Sequence, residues 1–200
     1  MANANRPAGL VPVGYLNGAN WSGKARMYCI PETDDSNAYA IGDPLVLAGS
    51  ADAQGVPTVI LATGGTNQVL GSFVGFVGLK YGQSGADPNA NGTIVIPATK
   101  SQAYYVLVAD DPNIIFEIQE DSDAGSIAAA SVSANFNLVA GANNGFISGW
   151  QLDSSSVGTG ATQQARLLMA KQQADNALGT YCKWLVLLNN HCYRVGQLGL

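Results

Sequence analysis

The chain has 200 residues, a length that suits one domain, and it is 47% hydrophobic but only 12% charged, roughly half the charged share of an ordinary globular domain. Its net charge of −5 argues against nonspecific nucleic-acid binding, which needs a basic stripe, and no run approaches the roughly 18 apolar residues of a membrane-spanning helix. Cys29, Cys182 and Cys192 form no CxxC pair, and His191 is the single histidine, so no zinc site of the usual spacing is expected.

Charge is unevenly spread. Residues 1–30 carry Arg6, Lys24 and Arg26 and no acid, residues 31–165 carry Lys80 and Lys100 against thirteen acids, and residues 166–200 carry four bases against Asp175. Basic ends around an acidic middle favour contact with acidic neighbours, including another copy of the chain. Met1 is followed by no apolar signal segment, so export is not expected and the thiols are expected to stay reduced.

The first thirty residues hold Pro7 and Pro12, with Pro31 just beyond, and scattered apolar residues. Proline fixes φ and removes a donor, so an extended N-terminal arm is predicted over residues 1–30, ahead of a β-rich domain over 31–200. The arm needs a surface to lie on, its own domain or a neighbouring subunit. Its candidate contact residues are Arg6, Pro7, Leu10, Val11, Tyr15, Trp21, Lys24 and Arg26.

Beyond the arm, short apolar runs between Gly, Asn, Asp and Pro clusters predict strands. They are expected near Ala38–Leu47 after a Gly-Asp-Pro turn, and over Pro57–Ala62, Val69–Val77 and Thr93–Ile96, with a polar loop at Gly82–Gly92. Gln102–Ala109 and Ile114–Glu120, joined by Asp110-Asp-Pro-Asn, predict a hairpin in which Ile114, Phe116 and Ile118 share one face. Alanine-rich Ser126–Asn135 is a short-helix candidate, and Phe146–Leu152 is expected to be a strand. Thr162–Ala177 is made of good helix formers in a β context and stays open between helix and strand. Trp184–Leu188 is the last apolar run. The fold class expected is mainly β, a single barrel or sandwich with little helix.

Catalytic chemistry finds little support. A hydrolytic triad would have to use His191, which stands between Asn190 and Cys192 near the end of the chain. Gly82-Gln-Ser-Gly falls short of a nucleophile elbow, Asp121-Ser-Asp-Ala-Gly lacks the rest of a calcium loop, and no phosphate-binding glycine motif occurs. The acids Asp110, Asp111, Glu117, Glu120, Asp121 and Asp123 read as a solvated face. No catalytic residue, metal ligand or cofactor is expected.

Several strings taken in order carry a resemblance. They are Ala4-Asn-Arg-Pro-Ala-Gly-Leu, Tyr15-Leu-Asn-Gly-Ala-Asn-Trp-Ser-Gly, Tyr28-Cys-Ile-Pro and Tyr39-Ala-Ile-Gly-Asp-Pro, then Gly49-Ser-Ala-Asp-Ala-Gln-Gly-Val-Pro, Ala109-Asp-Asp-Pro-Asn-Ile-Ile-Phe-Glu-Ile-Gln-Glu and Leu187-Leu-Asn-Asn-His. Over nearly its whole length the chain resembles the capsid decoration, or cement, proteins of tailed bacteriophages. The resemblance implies a β-barrel or sandwich that self-associates as a dimer or trimer, and it shifts Thr162–Lys171 toward strand. It further implies a structural, non-enzymatic virion protein, made in the host bacterial cytoplasm, that binds the major capsid protein on the outer surface of the head, with no nucleic-acid or membrane partner. A carbohydrate-binding or tail-fibre-type β module is the alternative, and would need a cluster of exposed aromatics.

Overall fold

A computed structural model describes residues 3–65, 67–77 and 95–194. The strands are β1 (Val11–Tyr15), β2 (Arg26–Ile30), β3 (Tyr39–Ala40), β4 (Pro44–Ala51), β5 (Pro57–Leu61), β6 (Gly71–Phe76) and β7 (Val95–Ile96). They continue with β8 (Tyr104–Ala109), β9 (Ile114–Gln119), β10 (Asn135–Phe136), β11 (Leu138–Val139), β12 (Gln151–Leu152), β13 (Ala165–Ala170) and β14 (Lys183–Leu188). The protein is mainly β. Among the described residues the only helical turn is a 3-10 turn at Ala129–Ser131, so the alanine-rich segment does not become an α-helix. The predicted polar loop at Gly82–Gly92 lies outside the described residues.

Two sheets carry the fold. Five strands close into a small barrel in the order β2-β5-β4-β6-β8, and five others form an open sheet in the order β1-β9-β14-β13-β10. The architecture is therefore a barrel beside a sheet rather than one barrel or one sandwich. Each has its own apolar core. Tyr28, Leu45, Phe73 and Val106 fill the barrel, and Phe116, Phe136, Trp184 and Val186 pack with Leu10 against the sheet. Burying each large side chain contributes about 1.5–3 kcal/mol.

The predicted hairpin is corrected. The turn after Asp110 forms, with Ile114 N–H donating to Asp111 O and Asn113 N–H to the Asp111 side chain. The strands it joins do not pair with each other, because β8 pairs with β2 and β6 in the barrel whereas β9 pairs with β1 and β14 in the sheet. Both edges of each strand are taken, so the turn carries the chain from one sheet to the other. The face alternation within β9 does hold, with Ile114, Phe116 and Ile118 buried.

Of the segment left open between helix and strand, Thr162–Ala177, only Ala165–Ala170 is regular, and it is strand β13. Its run Leu167-Leu-Met breaks alternation because the register with β14 shifts between Leu167 and Met169, leaving Leu168 without a partner in the ladder. Phe146–Leu152 is a strand only at Gln151–Leu152. Before it, Ile147 makes a single parallel bridge to Ile41.

Residue 30 is not a boundary. β1 is the edge strand of the open sheet and β2 is a barrel strand paired with β8 over five positions. Pro12, one of the prolines that suggested an arm, is accommodated on an edge strand beside a bulge, where the register of β1 shifts between Pro12 and Gly14.

Candidate protein-contact surface

The N-terminal segment reaches its place by close backbone packing. Gly9 and Gly42 both have positive φ, and Leu10 N–H donates to Gly42 O at 2.8 Å. A Cβ on Gly42 would fall 2.1 Å from Ala8 O, and one on Gly9 would fall 2.1 Å from Gly42 O, so both positions require glycine. Ahead of this contact, Gln119 clamps the chain. Its carbonyl oxygen accepts from Arg6 N–H at 2.8 Å, and its amide donates to Ala4 O and Tyr181 O, both at 2.9 Å. Asn3 exchanges hydrogen bonds with Ala177, and Gln151 donates to the Asn5 side chain.

These contacts sort the residues expected to form the contact site. Leu10 is fully buried in its own sheet core and has no side-chain surface to offer. Pro7, Tyr15 and Trp21 are half-buried, and the Trp21 indole N–H donates to Lys24 O at 3.2 Å. Val11, Lys24 and Arg6 are exposed. Arg26 is exposed but occupied, since its Nε lies 3.5 Å from the Asp110 carboxylate and its guanidinium sits 5.8 Å from the Tyr193 ring centroid. Asp110 also accepts from the Tyr28 hydroxyl at 2.6 Å, and burial with that hydrogen bond pushes the Tyr28 phenol far above its ordinary range. Of the eight residues, then, the structure gathers Arg6 and Pro7 at one open site and uses Leu10 and Arg26 to hold the domain together.

That site is a groove of about 530 Å³ lined by Asn5, Arg6 and Pro7 on one side and by Ala142, Asn144 and Ile147–Gly149 on the other. Asn144 shapes the second wall. Its side-chain oxygen accepts the N–H groups of Phe146 and Ile147, both at 3.0 Å, a local turn that turns their side chains outward. Ser148 N–H then anchors the loop to Ile41 O at 2.9 Å. Phe146 is left 63% exposed and Ile147 38% exposed. Leu178, next to the Ala177 that Asn3 holds, is 59% exposed. Phe146 and Ile147 were not among the expected contact residues, because an apolar run after a glycine reads as a strand. The Asn143-Asn-Gly triplet ahead of them is the turn signal that marks them as loop.

His191 is fully buried, and Tyr193 N–H donates to its Nδ1 at 3.0 Å. Among the described residues its Nε2 has no hydrogen-bond partner, and burial, with Arg194 close by, pulls the imidazole pKa down to about 4. Asp121, Asp123 and Asp153 bring carboxylate oxygens within 4.8 Å of one another. Ser154 ties two of them together, its N–H donating to Asp121 and its hydroxyl to Asp123. Glu120, expected on the solvated face, is instead fully buried beneath Trp184, while Glu117 is half-buried and pairs with Lys171 and Lys183.

Fold and surface together define a mainly β protein whose N-terminal segment is locked onto its own sheet and whose open groove is flanked by protruding apolar side chains. Comparison with protein-family models, with curated proteins and with solved structures gave no match.

Proposed function

We propose that this protein is a structural component of a virion, one that binds the outside of an assembled tailed-phage head and stabilises it by bridging major capsid protein subunits. The observation that carries the reading is the exposure of Phe146 and Ile147 on a loop beside Arg6 and Pro7, on a chain with little charge anywhere. Large apolar side chains that a hydrogen-bonded turn holds in water favour burial against another protein. The resemblance of the sequence to capsid decoration proteins supplies the identity of that surface.

The physics is linkage. A protein that binds neighbouring subunits only when they sit side by side stabilises the assembled state over the separated one. Many symmetric copies multiply a modest gain, and a self-associated dimer or trimer adds avidity without new contact types. The carbohydrate-binding alternative asks for an aromatic platform, and Trp150 and Trp184 are buried in the core while Trp21 is half-buried with its indole N–H engaged.

The test is thermal. Heads assembled without this protein should rupture at lower temperature than the same heads after it is added back, and an identical rupture temperature with saturating protein overturns the proposal.

A further inference from the structure

We propose that Lys100 and Asn37 are joined by an intramolecular isopeptide bond, formed inside the folded protein from the Lys100 amine and the Asn37 carboxamide, with Asp34 carrying the proton.

Three chain segments converge there. Asp34 and Asn37 lie in the connection between β2 and β3, Tyr39 opens β3, and Lys100 lies between β7 and β8. The Lys100 side chain is wholly shielded from solvent and that of Asp34 is nearly so. Fully buried lysine is rare, because the ammonium loses its hydration. Here Nζ donates to the backbone oxygens of Asp34, Asn37 (2.7 Å) and Ala98 (3.0 Å), and it stands 3.9 Å from the Asp34 carboxylate. The same carboxylate accepts the Asn37 side-chain N–H at 2.9 Å and the Tyr39 hydroxyl. The Tyr39 ring closes the site, its centroid 5.0 Å from Nζ. The carboxylate that pairs with the buried amine also grips a carboxamide. Asp34 contacts both prospective reactants.

The reaction balances without an oxidant or a co-reactant. Neutral Nζ attacks Asn37 Cγ, the Nζ–Cγ bond forms and the Cγ–Nδ2 bond breaks. Asp34 takes a proton from Nζ and delivers one to Nδ2, which leaves as ammonia. Desolvation lowers the Lys100 pKa against the opposing charges of Asp34 and Asp35, raising the share of neutral amine. Asp34, bonded to the amide and 3.9 Å from the amine, draws both groups toward one carboxylate, and proximity of that kind raises the effective concentration that aminolysis of an amide lacks in water.

Intact mass of the purified protein decides the matter. The folded wild type should weigh about 17 Da less than its sequence requires, the mass of one ammonia. A tryptic digest should contain the peptide beginning at Met27 linked to the peptide that spans an uncut Lys100. Lys100→Arg and Asn37→Ala should each restore the full sequence mass. A wild-type protein of full mass overturns the proposal whether or not the variants fold. A deficit that persists in Lys100→Arg also overturns it, since it would then come from succinimide at an Asn-Gly step elsewhere.

Discussion

The indole N–H of Trp184 donates to the carboxylate of Glu120 across 2.9 Å, and both residues are fully buried. The same carboxylate accepts Ile127 N–H at 3.0 Å and the Ser122 hydroxyl at 3.0 Å. Glu120→Ala leaves two buried donors, the Trp184 indole and Ile127 N–H, without an acceptor, at about 1–3 kcal/mol each, and takes the partner from the half-buried Ser122 hydroxyl. We expect a loss of about 3 kcal/mol or more in urea denaturation, and a smaller loss for Glu120→Gln, which keeps one oxygen in place.

His191 gives the protein an acid limit. Its folded pKa, about 4, lies below the ordinary value of 6.5, so the unfolded chain binds the proton more readily between those values. Its contribution is intact above pH 6.5 and falls as the pH drops toward 4, by about 3 kcal/mol for a shift of this size. Glu120 and Asp43 act in the opposite sense, because burial raises both carboxyl pKa values and favours the folded state as they protonate. The His191 share is therefore the difference between wild type and His191→Gln in unfolding free energy measured from pH 7 to pH 4. That difference should shrink as the pH falls.

Leu10 tests whether the first thirty residues form a separable arm. Leu10→Ala should cost about 2–5 kcal/mol, as for a fully buried leucine, and would cost almost nothing on a free arm. Deleting residues 1–26 should be more damaging, since it removes β1 from the edge of β9 along with Leu10. Thermal melts of both variants measure this.

Cys29, Cys182 and Cys192 form no disulfide, and burial raises the Cys182 pKa to about 11 and that of Cys192 above its ordinary value. Because the thiolate is the reactive species, Cys182 and Cys192 should resist iodoacetamide at pH 7 in the folded protein and react fully in urea. Peptide mass spectrometry reads the label at each site.

The sequence shows β class through its turn residues and the period of two in Ile114-Ile-Phe-Glu-Ile. What it hides is pairing. Nothing local says that Ala109 and Ile114, five positions apart, belong to different sheets, because strand partners are chosen by edges far away in the chain. The bulge that lets Leu167-Leu-Met lie in a strand is likewise a property of the ladder with β14. Of the contact surface, Arg6 and Pro7 were legible as basic and extended, but their docking depends on Gly42 and Gln119, which are remote in sequence. Phe146 was hidden by its resemblance to a strand residue, since exposure depends on which loop faces water.

Cosedimentation with phage heads assembled without this protein tests the central claim most directly. The protein should pellet with mature heads and stay in solution with unassembled capsid protein. Phe146→Ser should reduce the bound fraction more than Arg6→Ala, because burying a phenylalanine contributes about 1.5–3 kcal/mol and an exposed ion pair about 0–1 kcal/mol. Binding should for the same reason change little between roughly 0.1 and 1 M salt, over which the screening length falls from about 10 to 3 Å. Equal binding to free subunits and finished heads, or release at high salt with Arg6→Ala the more damaging change, would contradict the account.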